Sequence, residues 1–145
     1  APQGDPQYPG SSTGWYGYGW NGYGFAGTKT QITQIGYPSC LDNAQLMERT
    51  DAYGVKNSSR RNNTQIGSLM CGGSSGGPWL INFGLRPVLT DTFDGLAAAE
   101  NTVVGVTSWG YTTSEPKQMG ASPFTSNNIV PLVDTACAAF ADRCN

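Results

Sequence analysis

Apolar and polar positions in this chain alternate mostly with a period of two, and the period lengthens only towards the end. "TKTQITQIGYP" (28–38) sets Ile32, Gln34 and the β-branched residues around them in alternation before a Tyr-Pro stop, which predicts a half-buried strand. A second strand is expected over 44–54, "AQLMERTDAYG", after the short turn "SCLDN". The polar run 55–64, "VKNSSRRNNT", reads as a surface loop, and "QIGSLM" leads from it into a Gly-rich segment. The most apolar, β-branched stretches, "GPWLINFG" (77–84) and "TVVGVTSWG" (102–110), predict two further strands. The segment between them is too long for a tight hairpin, so it is expected to project as a loop with a helical turn at "GLAAAEN". Near the end, Leu132, Val133, Ala136 and Phe140 recur at helical spacing. Asp134 near the start of that helix and Arg143 near its end match the helix dipole. No internal repeat of fixed period is present.

Composition supports an all-β reading. Gly and the aromatics are plentiful, and only 12% of the 145 residues are charged, a balance unlike that of a helical bundle. One domain with a real core suits this length. Residues 1–13 are Pro, Gly, Gln and Ser with hardly any aliphatic side chain, the texture of an extended arm. "GWYGYGWNGYGFAG" (14–27) then places aromatics mostly at alternate positions, which fits a twisted strand pair, with low-complexity self-association as the alternative.

The net charge is −2 and Arg60-Arg61 is the only basic pair, so nothing builds the cationic face that nucleic acid or anionic lipid requires. No run approaches the roughly 20 apolar residues of a membrane span. Four cysteines (Cys40, Cys71, Cys137, Cys144) without CxxC spacing, in a chain with no histidine, favour two disulfides over a metal site and imply an oxidising compartment. Counting does not separate the three connectivities. The closeness of Cys137 and Cys144 suggests a local loop, giving Cys40–Cys71 and Cys137–Cys144. No cofactor or metal is expected, since Asp91 and Asp94 are too little for a calcium loop.

The stretch with most chemistry is "CGGSSGGPW" (71–79). It reads either as a hinge or as the setting of a nucleophile. A serine hydroxyl attacks only if a base takes its proton and donors hold the oxyanion that forms. Glycines allow a bend that points successive N–H groups, here those of Gly73 and Ser75, into one concavity, while Gly76 and Gly77 leave room for substrate.

Gly73-Ser74-Ser75-Gly76-Gly77-Pro78 resembles the Gly-Asp-Ser-Gly-Gly-Pro signature of the chymotrypsin/trypsin-like serine peptidases, with Cys71 four residues before the serine. "VTSWG" (106–110) resembles that family's Ser-Trp-Gly strand, "GASPFTSNNIVPLVD" (120–134) its final strand and helix, and "ITQIGYP" (32–38) the opening strand of the serine-bearing half in secreted bacterial and fungal members. The resemblance covers roughly residues 14–145. It implies an all-β fold, a six-stranded antiparallel Greek-key barrel that is the second of a double barrel, with a C-terminal helix. It further implies Ser75 as nucleophile, the Gly73 and Ser75 amides as oxyanion hole, and Ser108, Trp109 and Gly110 as the edge that pairs with substrate backbone. Leu69, Met70, Gly72 and Ser122 would line the substrate pocket.

Two departures stand out. With no histidine, these residues alone cannot complete a Ser-His-Asp triad. The resemblance therefore implies a His- and Asp-bearing N-terminal barrel on a separate chain, this chain being its heterodimer partner and 1–13 the severed linker between barrels. Lys29, Lys56 and Lys117 stand in polar contexts unsuited to replacing the base. Ser74 stands where the family keeps an aspartate, so the oxyanion loop must be held otherwise, with Cys40–Cys71 as candidate anchor. Leu69 in place of a Lys/Arg-recognising aspartate, and Thr107 in place of the histidine of glutamyl endopeptidases, point to an apolar or small residue before the scissile bond. The reading is a secreted serine endopeptidase acting on protein or peptide, without nucleic acid or membrane partners. The alternative is a non-catalytic module binding peptide or carbohydrate on the aromatics of 15–25.

Overall fold

The structure, a computed structural model, describes residues 13–21, 29–57, 63–84, 100–113 and 116–140. Six strands build the barrel: β2 (Lys29–Gly36), β3 (Glu48–Asn57), β4 (Asn63–Gly67), β5 (Pro78–Ile81), β6 (Thr102–Gly110) and β7 (Gln118–Pro123); β4 occupies the end of the expected surface loop and the residues just after it, where the alternation predicts no strand. Strands β2, β3 and β4 pair in sequence, and β5 returns to lie antiparallel beside β2, the Greek-key arrangement. β6 then pairs with β5, and β7 joins β6 to β4, which closes a six-stranded antiparallel barrel. A two-residue strand β1 (Gly17–Tyr18) adds to β6 in parallel.

Closure follows from the residues that point inward. Ile32, Ile66, Trp79, Val104 and Ala121 form one buried cluster against which Ala52 packs, so every barrel strand contributes a side chain. A fully buried side chain of this kind contributes about 1.5–3 kcal/mol. The helix α1 (Ile129–Ala139) follows β7 and presents no fully buried residue.

The expected strand over 44–54 begins late, because Asp42, Asn43 and Ala44 take φ of 45, 52 and 60° and form a tight left-handed turn. It also runs further, to Asn57, which pairs with Asn63 and donates from its Nδ2 to Gln65 Oε1 at 2.6 Å. The polar run 55–64 thus belongs partly to the ladder, since backbone pairing does not require apolar side chains. Residues 58–62, and 85–99 of the projecting loop, lie outside the described residues. So do 1–12 of the expected arm and 22–28 of the expected aromatic strand pair.

The helix departs from its expected electrostatics. It starts at Ile129, so Asp134 lies in its middle, and its first turn carries no acid and its last no base. Its N-terminus is instead capped by Asn128, whose Oδ1 accepts from Ile129 N. Pro131 in the first turn costs no hydrogen bond, because N–H groups there have no intrahelical acceptor. Arg143 lies outside the described residues. The Cys40–Cys71 bridge is present as expected, whereas the second expected bridge, Cys137–Cys144, ends outside the described residues.

Candidate active site

Between β4 and β5 the chain makes two consecutive tight turns that share Ser74. Ser74 N donates to Cys71 O at 3.2 Å and Gly77 N donates to Ser74 O at 3.0 Å. The third residues of these turns, Gly73 and Gly76, have φ of 100 and 79°, a conformation that glycine supplies without strain. Ser74 is thereby buried beneath the bend and Ser75 is exposed at its tip. The amides of Gly73 and Ser75 have no hydrogen-bond partner among the described residues.

The double turn is held on both flanks. On one, Ser39 donates from its N and Oγ to Gly72 O at 2.8 and 2.9 Å, and Cys40 is bonded to Cys71. On the other, Gly76 N donates to Thr107 O and Thr107 N to Gly77 O, both at 2.9 Å. The turn is therefore fixed between the end of β2 and the middle of β6.

The β6 segment beside it is bulged. Thr107 pairs with Ala121 and Trp109 with Gly120, so Ser108 is the extra residue. This puts Thr107 inside and Ser108 outside, with Trp109 half-buried and Gly110 exposed. On the β5 side, strand pairing ends at Val106, and no strand among the described residues pairs with Ser108–Gly110 there. Trp109 and Tyr111 meet edge to face, their ring centroids 5.6 Å apart.

The other sequence-derived positions are spread more widely. Leu69 is exposed and Met70 buried, and both line an open cavity of about 560 Å³ together with Leu41, Glu48 and Lys117. Ser122 is exposed on β7, opposite Val106, and does not line that cavity. Gly72 is exposed within the first turn. In the lining of that cavity, the hydrogen bond with Asp42 raises the Glu48 carboxyl above its ordinary range. The Arg49 guanidinium hydrogen-bonded to Asp51 lowers that carboxyl, with a further hydrogen bond from Thr33.

What sequence reasoning missed is a polar chain inside the barrel. Gln34 is wholly buried; its Nε2 donates to Thr107 Oγ1 at 3.1 Å and its Oε1 accepts from Ser68 Oγ at 2.8 Å. Trp79 Nε1 donates to the same Thr107 oxygen at 2.9 Å. The available signal was that Gln34 shares a strand face with Ile32, a polar residue on the core side.

By sequence, no family model and no curated protein matches the chain. By structure it is similar to a thermostable serine protease, AL20, from an extremophilic microorganism, with a TM-score of 0.53 and 23% identity. The match covers 77% of this chain and 43% of the protease chain, so it spans less than half the length of that protein. This likeness is one of fold: the closed barrel and the helix that follows it share the architecture of that protein.

Proposed function

We propose that this chain is the serine-bearing barrel of a secreted endopeptidase, completed by a histidine and an aspartate from an N-terminal barrel on a separate chain. One observation carries the reading: Ser75 stands exposed on a doubly anchored turn whose Gly73 and Ser75 amides, among the described residues, are uncommitted, beside a stretch of β6 that no described strand covers on that side. A binding module has no use for such a turn.

In this reading an extended peptide adds to β6 at Ser108–Gly110 by backbone pairing, which lays its scissile carbonyl over Ser75. Ser75 Oγ attacks the carbonyl carbon while the partner's imidazole takes the hydroxyl proton. The charge that develops on the carbonyl oxygen is held by the Gly73 and Ser75 N–H groups, already fixed in place by the flanking hydrogen bonds. The same imidazole returns the proton to the leaving amine, and water then releases the acyl group. Of the expected pocket residues, Leu69 and Met70 share one cavity, and that cavity is the proposed surface for an apolar or small side chain before the cleaved bond. Secretion suits the Cys40–Cys71 bridge and the finding that no helix among the described residues is long and apolar enough to cross a membrane.

A second reading is favoured by one feature. Trp15, Tyr16, Tyr18 and Trp20 are exposed, and Tyr18 and Trp20 are stacked with centroids 5.5 Å apart, a platform suited to a sugar ring or an apolar peptide. Mass spectrometry of the native, non-reduced protein after a fluorophosphonate probe separates the two. The peptidase reading expects a co-purifying histidine-bearing chain and an adduct on Ser75, lost in Ser75→Ala while stability changes by less than about 1 kcal/mol. A folded chain with no partner and no adduct at any pH would overturn it in favour of the binding module.

A further inference from the structure

Gln34 ties together, from inside the barrel, the two ends of the segment that carries Ser75. Ser68, which donates to Gln34 Oε1, accepts from Met70 N at 3.1 Å and so fixes the chain just before Cys71. Thr107, which accepts from Gln34 Nε2, exchanges backbone hydrogen bonds with Gly76 and Gly77 and fixes the chain just after Ser75. One amide therefore bridges the incoming and outgoing limbs of the double turn. An apolar side chain of the same size would fill this space without the cost of burying an amide, so packing alone does not call for glutamine. A fully satisfied buried polar network rigidifies what it joins.

We propose that Gln34 is a positioning residue for Ser75, setting the spacing of the turn's two limbs through Ser68 and Thr107. As a statement about reactivity this rests on Ser75 being the nucleophile; as a statement about the turn it does not. Gln34 touches no reacting atom in this arrangement.

The test compares wild type with Gln34→Met, similar in length but unable to bond both partners, and Gln34→Glu. Hydrogen exchange on the 145-residue chain reads the amides of Met70, Gly76 and Thr107 against the ladder amides of β3 and β4. The expected result for Gln34→Met is exchange about tenfold faster at the turn, with the β3–β4 ladder unchanged. In Gln34→Glu, burial keeps the carboxyl protonated to higher pH, so its O–H replaces the amide donor. Turn protection, taken relative to wild type at each pH, is then near wild type at low pH and lost as the pH rises. Ionisation of a buried carboxyl loosens any site, so the deciding features are near-wild-type turn protection at low pH, where Gln34→Met has lost it, and a loss at high pH that starts at the turn rather than across every ladder. The rate of fluorophosphonate labelling of Ser75 in the complex with its partner follows the same order. Unchanged turn amides, uniform loosening of every ladder, or a flat pH response in Gln34→Glu overturns the proposal. If the wild-type complex is not labelled at all, the peptidase reading fails, while the exchange data still decide whether Gln34 holds the turn.

Discussion

The indole ring of Trp109 lies over Gly120, its cross-strand partner on β7, in the space a side chain at that position would occupy. The bulge at Ser108 turns Trp109 towards this neighbour, and the missing Cβ of Gly120 makes room for the ring. Gly120→Ala is therefore expected to displace the indole and destabilise the barrel by about 1–3 kcal/mol. Urea unfolding followed by tryptophan emission checks it, with a red shift in the folded baseline as the ring moves towards water. An unchanged midpoint and spectrum would contradict the packing.

Ser74 is 1% exposed, and its hydroxyl has no hydrogen-bond partner among the described residues. It rests against Gly36 of β2: a Cβ added at that glycine would lie 3.0 Å from Ser74 Cβ. Burying an unsatisfied hydroxyl costs about 1–3 kcal/mol, so Ser74→Ala is expected to raise stability, by about 1 kcal/mol after the lost packing is counted. Thermal unfolding of the two proteins side by side measures it; a clear loss would mean that the hydroxyl is satisfied in solution.

Thr107 carries the opposite expectation. Its Oγ1 accepts from two buried donors, Gln34 Nε2 and Trp79 Nε1. Thr107→Val keeps the shape and strands both, at a cost of about 2–4 kcal/mol. Thr107→Ser keeps the acceptor and should stay within about 1.5 kcal/mol of wild type. A loss in Thr107→Ser equal to or larger than that in Thr107→Val would contradict a dominant role for the hydroxyl.

Ala44 has φ of 60°, a left-handed conformation that costs an L-residue about 1–2 kcal/mol. Ala44→Gly relieves that strain and loosens the unfolded chain, so a net gain of up to about 1 kcal/mol is expected in chemical denaturation. Ala44→Val at the same site should lose stability, because a β-branched side chain tolerates this φ worst.

The two perturbed carboxyls act on stability with opposite sign. Hydrogen bonding with Asp42 raises Glu48 above 4.5, so the folded state holds more protons in that window and stability falls as pH rises through it. Asp51, hydrogen-bonded to Arg49, is lowered below 3.8, so its contribution is present above that value and is lost as pH falls through the folded pKa. The Arg49–Asp51 pair is at the surface, so its effect is small and weakens with salt. Carboxyl-carbon NMR titration should find the Glu48 midpoint above and the Asp51 midpoint below their ordinary values; midpoints in the reverse order would refute both assignments.

Strand β6, the tight glycine turn around Ser75 and the C-terminal helix were legible in the sequence, because each rests on a property carried within a few residues. A β-branched run, glycines where φ must be positive and a helical repeat all act locally. The ends of elements were less legible. The left-handed turn at Asp42–Ala44 delayed β3, and the polar ladder at Val55–Asn57 extended it, since neither depends on the hydrophobic pattern.

The sequence by itself determined that the chain is a β-fold, that Ser75 lies in a glycine turn, and that any histidine base must come from outside these 145 residues. Only the tertiary structure decided which groups meet behind that turn. Gln34 lies 34 positions from Ser68 and 73 from Thr107, and the three converge because β5 pairs with β2 and β7 closes the barrel between β6 and β4. Alternation marks which face a residue occupies, but convergence across a closed sheet depends on strand order and register, which no local stretch of chain encodes.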